Sequence, residues 1–304
     1  MHSYDSTFDT GFIQVDTVHK IYYEQYGNPE GKPILFLHGG PGAGCSSFQK
    51  RFFDCKKYRV IFFDQRGSGK SLPYAETNKN TTKDLTEDIE LIRKFLKIKN
   101  WLIFGGSWGS TLALLYGIKF PKNCSGFLLR GVFLGTKKEI DWFLYDMKKF
   151  FPEAHEKFVS KIPKTQKHDI LNWYKNKLNS KNKNSVLSAA KDWNEYESSC
   201  STLRYVVRRN SGSDSLAIAK IENHYFVNNC FLKDNFIINN LNKIKHLPSV
   251  IIQGRHDVIC PPFNAIRLSK LLPKSNLKIV EDAGHSAFED GVFKEVLNSL
   301  NNIY

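Results

Sequence analysis

A serine flanked by glycines is the residue in this chain best suited to covalent chemistry. Residues 105–109 read Gly-Gly-Ser-Trp-Gly and follow Trp101 to Phe104, four apolar residues that predict a short buried strand. The pattern G-x-S-x-G is typical of a strained strand-to-helix turn, where glycines allow strand and helix to approach closely. Apolar residues at helical spacing follow, up to Pro121. We therefore predict Ser107 as a nucleophile at the start of a helix, whose free N–H groups face a developing oxyanion.

Two later residues supply the acid and the base that an activated serine requires. Asp257 and His285 follow runs that predict parallel strands, at 248–254 and 277–280. Open parallel sheets bind ligands at the carboxyl ends of their strands, and serine, acid, histidine is the chain order of the α/β-hydrolase triad. We predict His285 as the general base and acid, and Asp257 as the carboxylate that orients its imidazole. The alternative is that both side chains only cap loops.

A glycine-rich loop early in the chain predicts the second part of an oxyanion hole. Residues 38–44 read His-Gly-Gly-Pro-Gly-Ala-Gly and follow an apolar strand at 33–37. In this fold class an HGGG-type loop donates a backbone N–H to the oxyanion. We predict Gly40 and Trp108 as the two backbone donors. His38 is expected to orient the loop by hydrogen bonds rather than to transfer protons.

Another glycine-containing loop resembles a phosphate loop but lacks its spacing. Residues 64–71 read Asp-Gln-Arg-Gly-Ser-Gly-Lys-Ser, with one residue between the glycines where a phosphate loop has four. We therefore exclude nucleotide binding, and expect Asp64 and Arg66 to pair with each other within the turn.

Strands and helices alternate in both flanks of the chain but not in its middle. The flanks predict a mostly parallel α/β sheet, whereas the middle hundred or so residues have helical spacing only. Because the sheet needs strands from both flanks, we predict an α/β-hydrolase core at 1–134 and 242–304 with a helical cap at 135–241. An independent helical domain is the alternative.

Composition narrows the classes of protein further. The chain has 304 residues, is 41% hydrophobic and carries a net charge of +14, but its lysines are dispersed and no nucleic-acid-binding motif accompanies them. No run is long enough to cross a membrane and the first ten residues are polar, so we expect a cytoplasmic protein with neither a membrane nor a nucleic-acid partner. Six scattered cysteines without a C-x-x-C pair favour reduced thiols over disulfides or zinc.

Motifs along nearly the whole chain resemble those of the proline iminopeptidases. They read HGGPGAG at 38–44, DQRGSGKS at 64–71, GGSWGSTLAL at 105–114, RGVFLG at 130–135, ENHYF at 222–226, GRHDVICP at 254–261 and DAGHSAFE at 282–289. The resemblance implies an α/β-hydrolase that removes N-terminal proline from peptides without a metal or an organic cofactor. It also implies the triad of Ser107, Asp257 and His285 and the oxyanion donors Gly40 and Trp108.

The same resemblance assigns the recognition of substrate to the predicted cap. It implies that Glu197 and Glu222 bind the substrate amine and that Phe133 and Phe226 belong to an apolar pocket. Where the family tends to read W-x-x-W-E, this chain has Trp-Asn-Glu-Tyr-Glu at 193–197, so the register leaves Glu195 as an alternative to Glu197.

Two other functions share parts of this pattern. A lidded cytosolic esterase or amidase would use the same triad but would need no carboxylates in its cap. A non-catalytic binding protein of the same fold would need neither the triad nor the oxyanion loops.

Overall fold

The fold is built on an eight-stranded sheet, as the alternating sequence pattern predicts. The computed structural model describes residues 6–205 and 215–302. The strands are β1 (Thr7–Gln14), β2 (Lys20–Gly27), β3 (Lys32–Leu37), β4 (Tyr58–Phe63), β5 (Trp101–Ser107), β6 (Cys124–Val132), β7 (Ser249–Gly254) and β8 (Ser275–Val280). Their order across the sheet is β1-β2-β4-β3-β5-β6-β7-β8. β2 pairs antiparallel with β1 and β4, and all other pairs are parallel. The predicted α/β-hydrolase sheet is therefore confirmed.

Helices cover both faces of the sheet and fill the interval between β6 and β7. They are α1 (Thr82–Phe95), α2 (Trp108–Lys119), α3 (Lys137–Asp141), α4 (Pro152–Val159), α5 (Ile170–Leu178), α6 (Lys183–Ser199), α7 (Leu216–Val227), α8 (Phe236–Asn240), α9 (Pro262–Leu271) and α10 (Asp290–Asn302). Alternate residues of β5 face opposite sides, so Ile103 packs in one apolar cluster with Leu112 of α2. Phe104 packs in the other cluster with Val296 of α10.

The helical insertion between β6 and β7 is held together by aromatic packing. Phe158 of α4 stacks on Tyr196 of α6 and on Tyr174 of α5, with ring centroids 4.3 and 4.7 Å apart. Tyr225 of α7 packs edge-on against Trp108 at the start of α2, with centroids 4.8 Å apart. These side chains belong to one apolar cluster that continues from the sheet into the insertion, so the inserted helices rest directly on the strand ends.

The extent of the cap remains a prediction. Helices α3 to α8 lie between residues 137 and 240, and residues 206–214 of the predicted range 135–241 lie outside the described residues. α8 packs against α2 of the sheet layer, so we propose that the cap proper consists of α3 to α7. Within the described ranges, no helix combines the length and the apolar character needed to cross a membrane.

The expected pairing of Asp64 with Arg66 is wrong. The Asp64 carboxylate accepts hydrogen bonds from the backbone N–H groups of Cys45 (2.6 Å) and Lys70 (2.8 Å). Arg66 instead forms a two-point ion pair with Asp88 of α1, at 2.6 and 2.7 Å. A planar guanidinium matches a carboxylate in this geometry, and α1 presents Asp88 where sequence proximity alone gives no indication of it.

Candidate active site

Ser107 lies at a sharp turn between β5 and α2. Its backbone has φ 57° and ψ −126°, a strained conformation for a residue with a side chain. The turn depends on its glycines, because a Cβ at Gly105 would lie 2.1 Å from the Gly109 carbonyl oxygen and one at Gly109 would lie 2.2 Å from that of Leu37. The strand, turn and helix predicted around Ser107 are therefore present, and the α2 N-terminus begins directly after the serine.

Asp257 and His285 come together at the carboxyl ends of β7 and β8. The distance from His285 Nδ1 to Asp257 Oδ2 is 2.8 Å, and both side chains are buried. Asp257 also accepts hydrogen bonds from Gln253 Nε2 (3.0 Å) and from the backbone N–H of Cys260 (2.8 Å). Because a carboxylate accepts but does not donate, His285 carries its proton on Nδ1, which leaves Nε2 free to act as a base.

The Cys260 thiol lies at the same cavity as Ser107. Burial and the neighbouring Asp257 raise the pKa of this thiol well above its ordinary value. Within the described part of the chain, Ser107 and His285 make no hydrogen bond to each other. Nucleophile–base hydrogen bonds are often long without substrate and tighten when it binds.

The glycine-rich loop lies against the serine. A Cβ at Gly39 would be 3.5 Å from Ser107 Cβ, and Gly40, with φ 102°, lines a cavity together with Ser107. The His38 ring nitrogen Nδ1 lies 2.9 Å from the Gly39 carbonyl oxygen, and Nε2 accepts the backbone N–H of Gln65 at 3.0 Å. Burial lowers the pKa of His38, so its neutral ring orients the loop. This agrees with the structural role expected for His38.

Gln65 connects this loop to the start of α2. Its Nε2 donates to the His38 carbonyl oxygen at 3.0 Å, and its Oε1 accepts the indole N–H of Trp108 at 2.8 Å. The side chain is 2% exposed, so both hydrogen bonds are shielded from water. One amide therefore sets the spacing between the two segments that carry Gly40 and the Trp108 N–H.

Two carboxyl groups from the inserted helices face the same cavity as Ser107. Glu197 of α6 and Glu222 of α7 line it, and its volume is about 20 Å³. Burial raises the pKa of Glu197 to about 7. Burial and the nearby Glu197 raise the pKa of Glu222 well above its ordinary value, although the Trp193 indole donates a hydrogen bond to Glu222 Oε2 at 2.5 Å. Such a pair is costly unless a cation lies between its members.

The structure shows which of the two neighbouring carboxyl groups, Glu195 or Glu197, lies near Ser107. Glu195 is buried on another side of α6, where Lys157 pairs with it and Lys191 lies 3.9 Å away. The structure therefore brings Glu197, rather than Glu195, to the serine. In the described ranges, no three His, Cys, Asp or Glu side chains are grouped to hold a metal ion.

Aromatic rings form the rest of the cavity wall. Phe133 follows β6 and Phe226 belongs to α7, and their ring centroids are 6.0 Å apart. Phe143, which follows α3, packs edge-on against Phe226 at 5.8 Å and also lines the cavity. Six of the predicted site residues line this one cavity together with Phe143, Ile259, Cys260 and Glu139, namely Gly40, Ser107, Phe133, Glu197, Glu222 and Phe226. The predicted residues Trp108, Asp257 and His285 are not among its lining residues.

Residues 32–292 match the family model of the α/β hydrolase fold. The chain is 44% identical over 300 residues to a probable proline iminopeptidase of Leptolyngbya boryana, covering 97% of this chain and 94% of the relative. It is 42% identical to a proline iminopeptidase of Neisseria gonorrhoeae over 100% of this chain and 98% of the relative. The chain belongs to the proline iminopeptidase family.

The family assignment confirms the resemblance read from the sequence and the prediction of a serine hydrolase. An esterase from Exiguobacterium antarcticum has a similar fold, with a TM-score of 0.63 at 22% identity, covering 96% of this chain and 98% of the esterase. At that identity the likeness concerns the fold alone. The roles of the individual site residues remain predictions.

Sequence reasoning missed the side chains that hold the site together. Gln65 and Phe143 received no role, although Gln65 lies in a glycine-containing loop at the end of β4. The sequence offered one signal for a role of Gln65, which is its position directly after a strand that lies inside the sheet. Phe143 gave no signal beyond the helical spacing of apolar residues, which indicates burial rather than a place at a cavity.

Proposed function

We propose that this chain releases proline from the N-terminus of peptides through an acyl-enzyme on Ser107. Ser107 Oγ attacks the prolyl carbonyl carbon while His285 Nε2 takes its proton, and Asp257 balances the resulting imidazolium. The backbone N–H groups of Gly40 and Trp108 donate to the oxyanion. His285 then gives the proton to the leaving amine as the C–N bond breaks. Water attacks the ester with His285 again as base, which releases proline and restores the serine.

Recognition of the free N-terminus is assigned to the carboxylates of Glu197 and Glu222. An N-terminal proline carries a secondary ammonium with two N–H donors, and two carboxylates can accept one hydrogen bond each. The positive charge of the ammonium also offsets the repulsion within a pair of carboxylates that is costly when the pocket is empty. The empty cavity of about 20 Å³ has room for about one water molecule, so in the proposed complex the rings of Phe133, Phe226 and Phe143 move apart to surround the pyrrolidine ring.

The observation that carries this proposal is the presence of Glu197, Glu222 and Ser107 at one small cavity. A neutral acyl group would leave two buried carboxylates without a partner, which disfavours a lidded esterase. A binding protein without activity would need neither the Asp257–His285 pair nor the strained serine. The names of the relatives support proline as the residue released.

A panel of aminoacyl p-nitroanilides tests the proposal. We expect proline p-nitroanilide to be cleaved far faster than the other members and N-acetylproline p-nitroanilide not to be cleaved. Ser107→Ala is expected to lower kcat by on the order of a millionfold, as loss of a triad nucleophile does, with an unchanged circular dichroism spectrum. Faster cleavage of simple acyl esters than of the proline derivative would favour the esterase. Failure of a fluorophosphonate to label Ser107 would favour the binding protein.

A further inference from the structure

The backbone of His285 is held by residues that the mechanism above does not use. The N–H groups of His285 and Ser286 both donate to the Ser201 carbonyl oxygen, at 3.0 and 2.7 Å. The Arg130 guanidinium donates to the His285 carbonyl oxygen. Because these hydrogen bonds limit how far the backbone can move, the position of the imidazole depends on Ser201, which belongs to no strand of the sheet.

Ser201 lies in the predicted cap, just beyond the end of α6. The helix ends at Ser199, and the Ser201 hydroxyl donates to the Ser198 carbonyl oxygen at 2.8 Å. Glu197, which binds the amine in the proposed mechanism, lies four residues before Ser201. One end of α6 therefore carries both a carboxylate at the cavity and the carbonyl that holds the backbone of the proposed base.

The carboxylate of Glu289 joins the same two segments. Its Oε1 accepts the backbone N–H of Leu203, and its Oε2 accepts the backbone N–H of Gly284, both at 2.7 Å. Leu203 follows Ser201 by two residues, and Gly284 directly precedes His285. Hydrogen bonds to an ionised carboxylate are stronger than those between neutral groups. Glu289 thus ties the histidine segment to the segment after α6 from one side chain.

Glu289 is itself anchored to the sheet layer. It directly precedes α10, and its carbonyl oxygen accepts the backbone N–H of Phe293 at 2.9 Å. Phe293 packs against Phe52 in the apolar cluster on one face of the sheet, with ring centroids 5.2 Å apart. The two segments that Glu289 joins are in close contact, because a Cβ at Gly284 would lie 2.9 Å from the Leu203 nitrogen.

We propose that Glu289 is a positioning residue for the general base. By holding the N–H groups of Gly284 and Leu203 together, its carboxylate fixes the His285 backbone against the end of α6. The inference rests on the proposed function, in which His285 is the base, and it extends the role of the cap from recognition of the amine to alignment of the base. The alternative is that Glu289 only stabilises the fold, as an acidic residue at the start of α10.

Two variants separate the joined segments in different ways. Glu289→Gln keeps the shape of the side chain but offers one acceptor oxygen instead of two. Gly284→Ala keeps the carboxylate but places a methyl group against the Leu203 nitrogen. Glu295→Gln is the control, because Glu295 is a half-buried glutamate of α10 whose carboxylate accepts a hydrogen bond from the Ser299 hydroxyl at 3.3 Å.

The measurements are kcat/KM on proline p-nitroanilide and on p-nitrophenyl acetate, and the rate at which a fluorophosphonate labels Ser107. We expect Glu289→Gln and Gly284→Ala to lower all three by about 10- to 100-fold, since misplacing a reacting group by about 1 Å costs up to this much. The circular dichroism spectrum should be unchanged, and Glu295→Gln should match the parent. The acetate is informative because it has no amine, so its cleavage reports on the base and not on Glu197.

Other results would overturn the assignment. A lower Tm with unchanged kcat/KM and labelling rate would mean that Glu289 only stabilises the fold. A loss confined to the proline substrate would mean that Glu289 acts on Glu197 rather than on His285. A parent that cleaves the acetate but no prolyl substrate would contradict the proposed function, whereas the acetate and the fluorophosphonate would still test the role of Glu289.

Discussion

At the scale of single residues, Gln65 is the side chain that relates the two predicted oxyanion donors to each other. It holds the His38 carbonyl on one side and the Trp108 indole on the other, at 3.0 and 2.8 Å. A backbone donor stabilises an oxyanion only when it is fixed at hydrogen-bond distance before the charge develops. Gln65 touches neither substrate nor reacting atoms in this scheme, so it is a positioning residue.

Gln65→Met is expected to lower kcat for proline p-nitroanilide by about 10- to 100-fold, less than the loss of an oxyanion donor itself. KM should change little, because the amine pocket does not include Gln65. Gln25→Met is the matched control, since Gln25 is also buried and bridges Asp9 (2.6 Å) and Arg59 (2.8 Å) at β2, away from Ser107. Equal changes of kcat in the two variants would show that Gln65 acts only on stability.

Cys260 is a second residue whose position has a testable consequence. Cys260 lines the cavity of Ser107 and is 3% exposed, and the raised pKa of its thiol keeps the thiol protonated near neutral pH. We expect N-ethylmaleimide to inactivate the enzyme slowly, faster as pH rises, because the thiolate is the reactive form and a bulky adduct would fill the cavity. The residual activity, measured after treatment at each pH, gives the rate of inactivation. Inactivation that persists unchanged in Cys260→Ser would place the sensitive thiol elsewhere.

At the scale of elements, α6 and α7 each bring one carboxyl group to the cavity. Both pKa values are raised, that of Glu197 to about 7. A carboxyl group with a raised pKa in the folded state binds its proton more tightly there than in the unfolded chain. Its favourable contribution to the free energy of unfolding is therefore fully present at pH values below about 4.5, the pKa of the group in the unfolded chain. This contribution is lost as the pH rises through the pKa of the group in the folded protein. The empty pocket destabilises the fold at neutral and higher pH.

Glu222→Gln is accordingly expected to raise Tm at pH 8, because it removes the repulsion between the two carboxylates. The gain should shrink at pH 6, where the parent pair carries more protons. Thermal unfolding at the two pH values, without substrate, measures the difference. Glu153→Gln, an exposed carboxylate at the start of α4, is the control and should leave Tm nearly unchanged. A lower Tm for Glu222→Gln at both pH values would mean that the pair is not repulsive.

Elements of this fold were predictable where the information is local. The apolar run before Ser107, the glycines around it, and the strands that precede Asp257 and His285 predicted the sheet and the chain order of the proposed triad residues. The helical spacing of apolar residues between β6 and β7 predicted the helical insertion. Each of these signals lies within a few residues of the feature it predicts, so no knowledge of distant contacts was needed.

At the scale of the whole molecule, the contacts that escaped prediction join segments far apart in the chain. The Arg66–Asp88 ion pair and the Gln65–Trp108 hydrogen bond both depend on how loops pack at the strand ends. The choice of Glu197 over Glu195 depends on which side of α6 faces the sheet. The sequence offered both carboxylates at neighbouring positions, and only the packing of α6 against α4 and α7 separates them.

The central claim of the proposed function is that the inserted helices recognise the substrate amine while the chemistry takes place at Ser107, at the end of the sheet. The most direct test compares kcat/KM of the parent and Glu222→Gln on proline p-nitroanilide and on p-nitrophenyl acetate, which has no amine. We predict a loss of about 100-fold or more on the proline substrate, since one buried partner of a charged group is removed, and little change on the acetate. Equal losses on both substrates would contradict the account, because Glu222 would then support the structure of the cap without recognising the substrate.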